Sequence, residues 1–294
     1  MKFITYKYDN KEQVGIFNKN EQDIYPIKTL NVNYETMNDL IENITDEEMN
    51  LLKSALEKDS KEVISINDVC KMAPIPNPKQ DIICLGINYT AHAVESARYK
   101  KEAFGGDRPY AVYFSKRVNA STGDGDYIPS YPEIVDSLDY EAELAVIIKK
   151  DAKNVAKEDA YNYVFGYTVM NDVSARNLQT RHKQWYFGKS LDGFTPMGPC
   201  IVTKDEFVNP PVLQICSKVN GELRQNSTTD LMITSIEDVI HELSQGVTLK
   251  AGTIIAMGTP AGVGMGFEPP KFLKAGDIVE CEIEGIGSLK NIVK

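Results

Sequence analysis

The stretch Glu141-Ala142-Glu143-Leu144-Ala145-Val146-Ile147-Ile148 places two carboxylates at the head of the longest strongly apolar run in the chain. The run reads as a strand, and on a strand side chains two residues apart share a face. Two like charges that close cost energy unless one stays protonated, water screens both, or a cation sits between them. A solvated strand face and a cation site both satisfy the pattern. A third carboxylate adds to it: Asp172 follows a second apolar strand, Phe165 to Asn171, and precedes a helix expected from Ser174. Asp is also a preferred helix cap. Brought together, Glu141, Glu143 and Asp172 would form an all-oxygen site suited to Mg²⁺, Mn²⁺ or Ca²⁺, whereas zinc favours nitrogen and sulfur.

Outward from this pair of strands, the order of elements is mixed. Lys2 to Tyr8, Val14 to Phe17 and Ile24 to Ile27 read as short strands separated by polar turns. Thr45-Asp46-Glu47-Glu48 has the form of a capping box, which predicts a helix running to about Leu56. Pro74, Pro76 and Pro78 then block helix and favour an extended connector. The boundary is placed there, with a small β-rich N-terminal domain over 1–72 and a larger domain over 73–294. In the latter, strands at 82–85 and 111–114 flank a helix at about 90–99, and Asn220-Gly221 predicts a tight hairpin. A helix over 235–243 is expected to close at Gly246. Glu280, Cys281, Glu282, Ile283 and Glu284 alternate, giving a strand with one wet face. The fold class is α+β.

Composition narrows the function. The chain has 294 residues, 32 basic and 42 acidic side chains, a net charge of −10 and 42% hydrophobic content, as an ordinary soluble globular protein does. A net acidic surface argues against nucleic acid and anionic membranes as partners. No apolar run approaches the roughly 20 residues that span a bilayer, and the N-terminus lacks the apolar core of a signal peptide. Five scattered cysteines (Cys70, Cys84, Cys200, Cys216, Cys281) with no CxxC pair fit a reducing cytoplasm rather than a disulfide framework.

His92 and Glu95, three apart in the expected helix, share a face, so the carboxylate can orient the imidazole as a base; an ordinary surface pair has the same spacing. Gly188-Lys189-Ser190 would end a phosphate loop only with glycine at 183, where Lys183 stands. Gly258-Thr259-Pro260-Ala261-Gly262-Val263-Gly264 lacks the dinucleotide spacing and reads either as a tight turn or as backbone N–H groups lining an anion pocket.

Taken in order, Gly86-Ile87-Asn88-Tyr89-Thr90-Ala91-His92-Ala93-Val94-Glu95, Asp139-Tyr140-Glu141-Ala142-Glu143-Leu144, Asn171 to Gln179, Gly188 to Gly193, Met197-Gly198-Pro199 and Gly258 to Gly264 resemble the motifs of the fumarylacetoacetate hydrolase family. The resemblance covers about residues 73 to 294. It implies a mixed β-sandwich roll with a small N-terminal domain, commonly a homodimer. It implies Glu141, Glu143 and Asp172 as ligands of Mg²⁺ or Mn²⁺, and His92 with Glu95 as a water-activating dyad on a lid. Lys189 would be the catalytic lysine, with Arg176, Gln179, Thr259 and Lys116 at substrate-binding positions. Asn177, where many members have Asp, and Arg117-Val118, where Pro is usual, depart from the pattern.

The implied substrate is a small 2-oxo acid that chelates the ion, which stabilises an enolate as a neighbouring bond breaks. Hydrolysis of an acylpyruvate is favoured because His92 and Glu95 are both present. Oxaloacetate decarboxylation and hydroxydienoate isomerisation fit the same site, and a non-catalytic metabolite-binding protein is the alternative of another class. The segment from about Asn88 to Gly106, poor in apolar anchors after Val94, is expected to act as the lid.

Overall fold

Seven consecutive buried residues, Ala142–Ile148, form the central strand of a computed structural model that describes residues 1–58, 62–101 and 110–294. A strand with both faces covered accepts a continuous apolar sequence. The alternation is still visible in what each side chain touches: Leu144, Val146 and Ile148 join one core, while Ala145 and Ile147 join the other.

The strands, in chain order, are β1 (Lys2–Tyr8), β2 (Lys11–Phe17), β3 (Asp23–Pro26), β4 (Ile64–Ser65), β5 (Cys70–Lys71), β6 (Ile82–Gly86), β7 (Val112–Lys116), β8 (Tyr127–Ile128) and β9 (Leu138–Asp139). They continue as β10 (Ala142–Ile148), β11 (Val164–Asn171), β12 (Ser174–Ala175), β13 (Met197–Thr203), β14 (Gln214–Val219), β15 (Glu222–Thr228), β16 (Ile254–Ala256), β17 (Ile278–Ile283) and β18 (Gly287–Val293). The helices are α1 (Met37–Asn43), α2 (Asp46–Lys58), α3 (Thr90–Lys100), α4 (Arg176–Arg181), α5 (Tyr186–Lys189) and α6 (Ile236–Gly246).

Among the described residues an 11-stranded sheet runs β4-β3-β2-β1-β13-β11-β10-β16-β6-β7, with β5 beside β1. It is antiparallel except where β16 meets β6. A five-stranded sheet, β15-β14-β17-β18-β8, lies across β10, β11 and β13. Ile215, Val279, Cys281 and Leu289 of the small sheet fill one core together with Val239 and Ile240 of α6. Met37, Leu40 and Ile41 of α1 and Leu52 of α2 fill the other. The architecture is α+β, with two sheets packed face to face, α6 contributing to the core between them and α1 and α2 covering the outer face of the larger.

Local chemistry sets the boundaries. In the capping box the Glu48 backbone N–H donates to Thr45 Oγ1 (3.1 Å) and the Thr45 N–H to Glu48 Oε2 (2.9 Å), starting α2. Asn220 and Gly221 both have positive φ (52° and 80°), which a two-residue turn between β14 and β15 requires. Along β17, buried Val279, Cys281 and Ile283 alternate with half-buried Ile278, Glu280 and Glu282. Two expected boundaries move. Ser174 and Ala175 pair with Asp139 and Leu138 as strand, so the helix starts at Arg176. Gly246 ends inside α6 rather than beyond it, and Val247 caps the helix. The lid expectation over 102–106 lies outside the described residues.

Candidate active site

Antiparallel register assembles the carboxylates. Ala142 stands opposite Asn171, so Glu141 and Glu143 flank that pair and Asp172 is the first residue beyond the opposite strand. The Asp172 N–H donates to Glu141 O (2.9 Å) and the Glu141 N–H to Asn171 Oδ1 (3.0 Å), locking the junction. One oxygen from each of Glu141, Glu143 and Asp172 lies within 4.8 Å of the others, and all three residues are buried.

Cations and N–H donors surround this cluster. Lys189 Nζ, at the end of α5, is 2.6 Å from both Glu141 Oε2 and Asp172 Oδ2. Arg176 Nη1 is 2.6 Å from Glu141 Oε1 and donates to Gln179 Oε1 (3.1 Å), and its Nε donates to Asp139 Oδ2 (2.9 Å). Lys116 Nζ donates to Asp172 Oδ1 (2.6 Å) and to the Val173 carbonyl (3.1 Å).

The charges respond to this arrangement. Burial raises the Glu141 carboxyl, but Lys189, Arg176 and His92 outweigh it and hold the group well below the usual carboxylate range. Glu143 goes the other way: burial, then Asp172 and Glu141, push it well above. Burial opposes the charge of Lys189, yet Asp172 and Glu141 leave it raised. Lys116 is lowered, by burial first and by Lys189 as well. Glu143 is thus the carboxylate with repulsion left over, held by a backbone donor, Gly258 N–H, at 2.9 Å. Three converging carboxylate oxygens fit a hard divalent cation such as Mg²⁺ or Mn²⁺.

A pocket opens above the cluster. It is lined by Glu141, Glu143, Lys189 and Thr259 on the floor and by Phe114 and Trp185 on one wall. From α3, His92, Ser96, Tyr99 and Lys100 also line it, a set spaced for one helix face. His92 Nδ1 is 3.0 Å from Glu95 Oε2, and Glu95 Oε1 accepts from the Gly262 N–H (3.0 Å). Asn88 fastens the start of the helix by donating to the Met257 (2.8 Å) and Thr234 (3.0 Å) carbonyls.

Of the residues singled out in the sequence, His92, Glu141, Glu143, Lys189, Arg176, Gln179 and Thr259 line this one pocket. Glu95 stands behind His92. Lys116 is placed differently: fully buried behind Asp172, it contributes to that carboxylate rather than to the pocket wall. The Thr259 hydroxyl is already engaged, donating to Ala142 O (2.9 Å) and accepting from Gln225 Nε2 (2.7 Å). The glycine-rich loop does bind anions, but they belong to the protein: Gly258, Gly262 and Gly264 donate to Glu143, Glu95 and Asp139.

Sequence reasoning missed Asp139 and Gln225. Asp139 is fully buried and accepts from Arg176, Gly264 N–H (2.6 Å), Met265 N–H (3.0 Å) and Tyr140 N–H (2.9 Å). Its signal was a buried-motif carboxylate two residues ahead of Glu141. Gln225, from the small sheet, accepts from the Ala142 N–H (3.0 Å) and Ser217 Oγ (2.8 Å) and donates to Thr259 Oγ1 and Pro260 O (2.8 Å). Nothing in its local sequence marks it.

Known proteins share this arrangement of chain. The oxaloacetate tautomerase YisK of Bacillus subtilis is 49% identical over 227 residues, 77% of this chain and 74% of the relative. The structure of a fumarylacetoacetate hydrolase from Exiguobacterium antarcticum matches with a TM-score of 0.83 at 36% identity, covering 100% of this chain and 99% of that one. A maleylpyruvate hydrolase from Sphingobium sp. SYK-6, in complex with manganese(II) and pyruvate, matches with a TM-score of 0.79 at 28% identity, covering 100% and 98%. A family profile described as the fumarylacetoacetate (FAA) hydrolase C-terminal domain matches residues 81–294, and the chain belongs to the fumarylacetoacetate hydrolase family.

Proposed function

We propose that this protein is a divalent-metal-dependent enzyme that interconverts the keto and enol forms of a 2-oxo diacid of the oxaloacetate type. The observation that carries the reading is one pocket lined both by His92, which Glu95 holds from behind, and by Glu141 and Glu143 of the three-carboxylate cluster. The tautomerase named among the relatives favours this reaction over the others that the site could host. A Mg²⁺ or Mn²⁺ ion held by Glu141, Glu143 and Asp172 would chelate the 2-oxo acid and stabilise negative charge developing on its oxygen.

The protein's own groups supply the rest. Glu95 accepts from His92 Nδ1, leaving Nε2 with its lone pair toward the pocket. Nε2 takes a proton from the carbon next to the keto group. The C–H electron pair becomes the new C=C bond, the carbonyl pair moves to oxygen, and that oxygen takes a proton from a water, which recovers one from His92 Nε2; the reverse sequence returns the keto form. Lys189 steadies the oxygen as it gains charge. Arg176 Nη2, buried without a hydrogen-bond partner among the described residues, is a donor for the substrate carboxylate. Phe114 and Trp185 limit water.

Hydrolysis of an acylpyruvate is the second reading, supported by the same dyad and by the hydrolase relative that holds manganese and pyruvate. His92 would then take a proton from water, hydroxide would add to the distal carbonyl, and the C–C bond would break to an acid and the pyruvate enol. The test is an assay with Mg²⁺ and with Mn²⁺ of enol-oxaloacetate, acetylpyruvate and fumarylpyruvate. Metal-dependent loss of the enol absorbance, abolished by chelation and by Glu141→Ala, is expected. Faster cleavage of either acylpyruvate than ketonisation would assign hydrolysis, and inertness toward all three would refute both.

A further inference from the structure

The Glu95 side chain fills the space where a side chain on Gly266 would begin. A Cβ placed on that glycine would fall 1.5 Å from Glu95 Oε1, 2.0 Å from Cδ and 2.4 Å from Cγ. No side chain fits there while Glu95 holds His92. Gly266 itself sits in the short 3-10 turn Gly264–Gly266, outside the left-handed region, so its backbone would accept alanine without strain. What the position requires is empty space. One helical turn beyond Glu95, Arg98 also donates to the Gly266 carbonyl, so α3 touches this turn twice.

The turn is in turn fixed from below. Asp139 takes the N–H groups of Gly264 and Met265 with the carboxylate that also receives Arg176 Nε. A continuous set of contacts therefore runs from the arginine offered to the substrate, through Asp139 and the 264–266 turn, to the carboxylate that orients His92.

We infer that Gly266 is a positioning residue for proton transfer: it is the seat on which Glu95 docks, and the docking sets His92 above the carboxylate cluster. The inference rests on the reading of His92 and Glu95 as the proton-transfer pair. Gly266→Ala removes the seat without touching the carboxylate cluster or Lys189. It therefore acts on the chemical step and not on binding.

The experiment compares wild type, Gly266→Ala, Glu95→Ala and the double variant. Gly266→Ala is expected to lower kcat for enol-oxaloacetate on the order of 10²-fold, the scale of losing an oriented general base, with KM and Mn²⁺ affinity unchanged. The double variant is expected to match Glu95→Ala, because with no carboxylate to collide the extra methyl costs nothing further. Amide exchange across Thr90 to Lys100, in Mn²⁺ plus oxalate, is expected to be faster in Gly266→Ala than in wild type. Wild-type kcat in Gly266→Ala overturns the seat, as does a double variant about tenfold below Glu95→Ala. The exchange measurement needs no turnover. A protein inert to every substrate that still shows the exchange difference keeps the seat and loses the proposed reaction; unchanged exchange overturns the seat whatever the reaction proves to be.

Discussion

Lys189 occupies the position where the site is most sensitive to a single side chain. Its ammonium neutralises Glu141 and Asp172 together, at 2.6 Å from each. Removing one member of a buried ion pair leaves uncompensated charge and typically costs about 3–5 kcal/mol. Lys189→Met should therefore lower the metal-free stability by about that amount in urea melts, and Mn²⁺ should restore more stability to the variant than it adds to wild type. Glu143 gives a second prediction at this scale. Burial, Asp172 and Glu141 raise it above its ordinary value of 4.5, so between that value and its native one the folded chain holds more protons than the unfolded chain. Stability of the metal-free protein then falls as pH rises through that window. A cation needs the ionised carboxylate, so Mn²⁺ binding should release a proton and tighten as pH rises. Calorimetry in buffers of different ionisation enthalpy would show the release, and a binding heat independent of buffer would contradict it.

Between elements, the decisive contacts are those that local sequence does not announce. The Gln225 amide joins the small sheet to the ligand strand by using both its N–H bonds and its oxygen twice. Gln225→Leu would orphan the Ala142 N–H and the Pro260 carbonyl, at about 1–3 kcal/mol each. Because Ala142 separates two ligands, the variant should lose Mn²⁺ affinity as well as stability; unchanged affinity would mean that the ligand strand holds its shape without this link. The elements themselves were legible wherever one residue type does one local job: the Thr45 and Glu48 cap, the Asn220-Gly221 turn, the alternation along β17. Ser174 was misread because its pairing with Asp139 lies 35 residues away in sequence, and no helical signal can report a distant strand. The site shows the same division. His92 with Glu95, and Glu141 with Glu143, are readable from spacings of three and two. Asp139 meets Gly264 across 125 residues and Gln225 meets Ala142 across 83, so only the folded chain reveals them.

For the molecule as a whole, the metal and the fold are expected to be linked. A ligand that binds only the folded state at 100 times its Kd adds about 2.7 kcal/mol. Mn²⁺ should therefore raise the thermal midpoint of wild type, and chelation should return it, while Asp172→Ala should show neither shift; a midpoint indifferent to metal would contradict the cluster's role. Among the described residues no helix is long and apolar enough to cross a membrane. Glu141, Glu143 and Asp172 stand on or just beyond the paired strands β10 and β11 of the larger sheet, whereas His92 and Glu95 arrive on a segment that leaves β6 and returns on β7. Those two strands pair directly from Ile82 with Lys116 to Gly86 with Val112, so the sheet itself clamps both ends of the excursion about 5 Å apart. Such a segment is a cassette. Natural drift or a designed library could exchange it, and with it the His92 and Glu95 pair, without rebuilding the strands beside the carboxylate cluster.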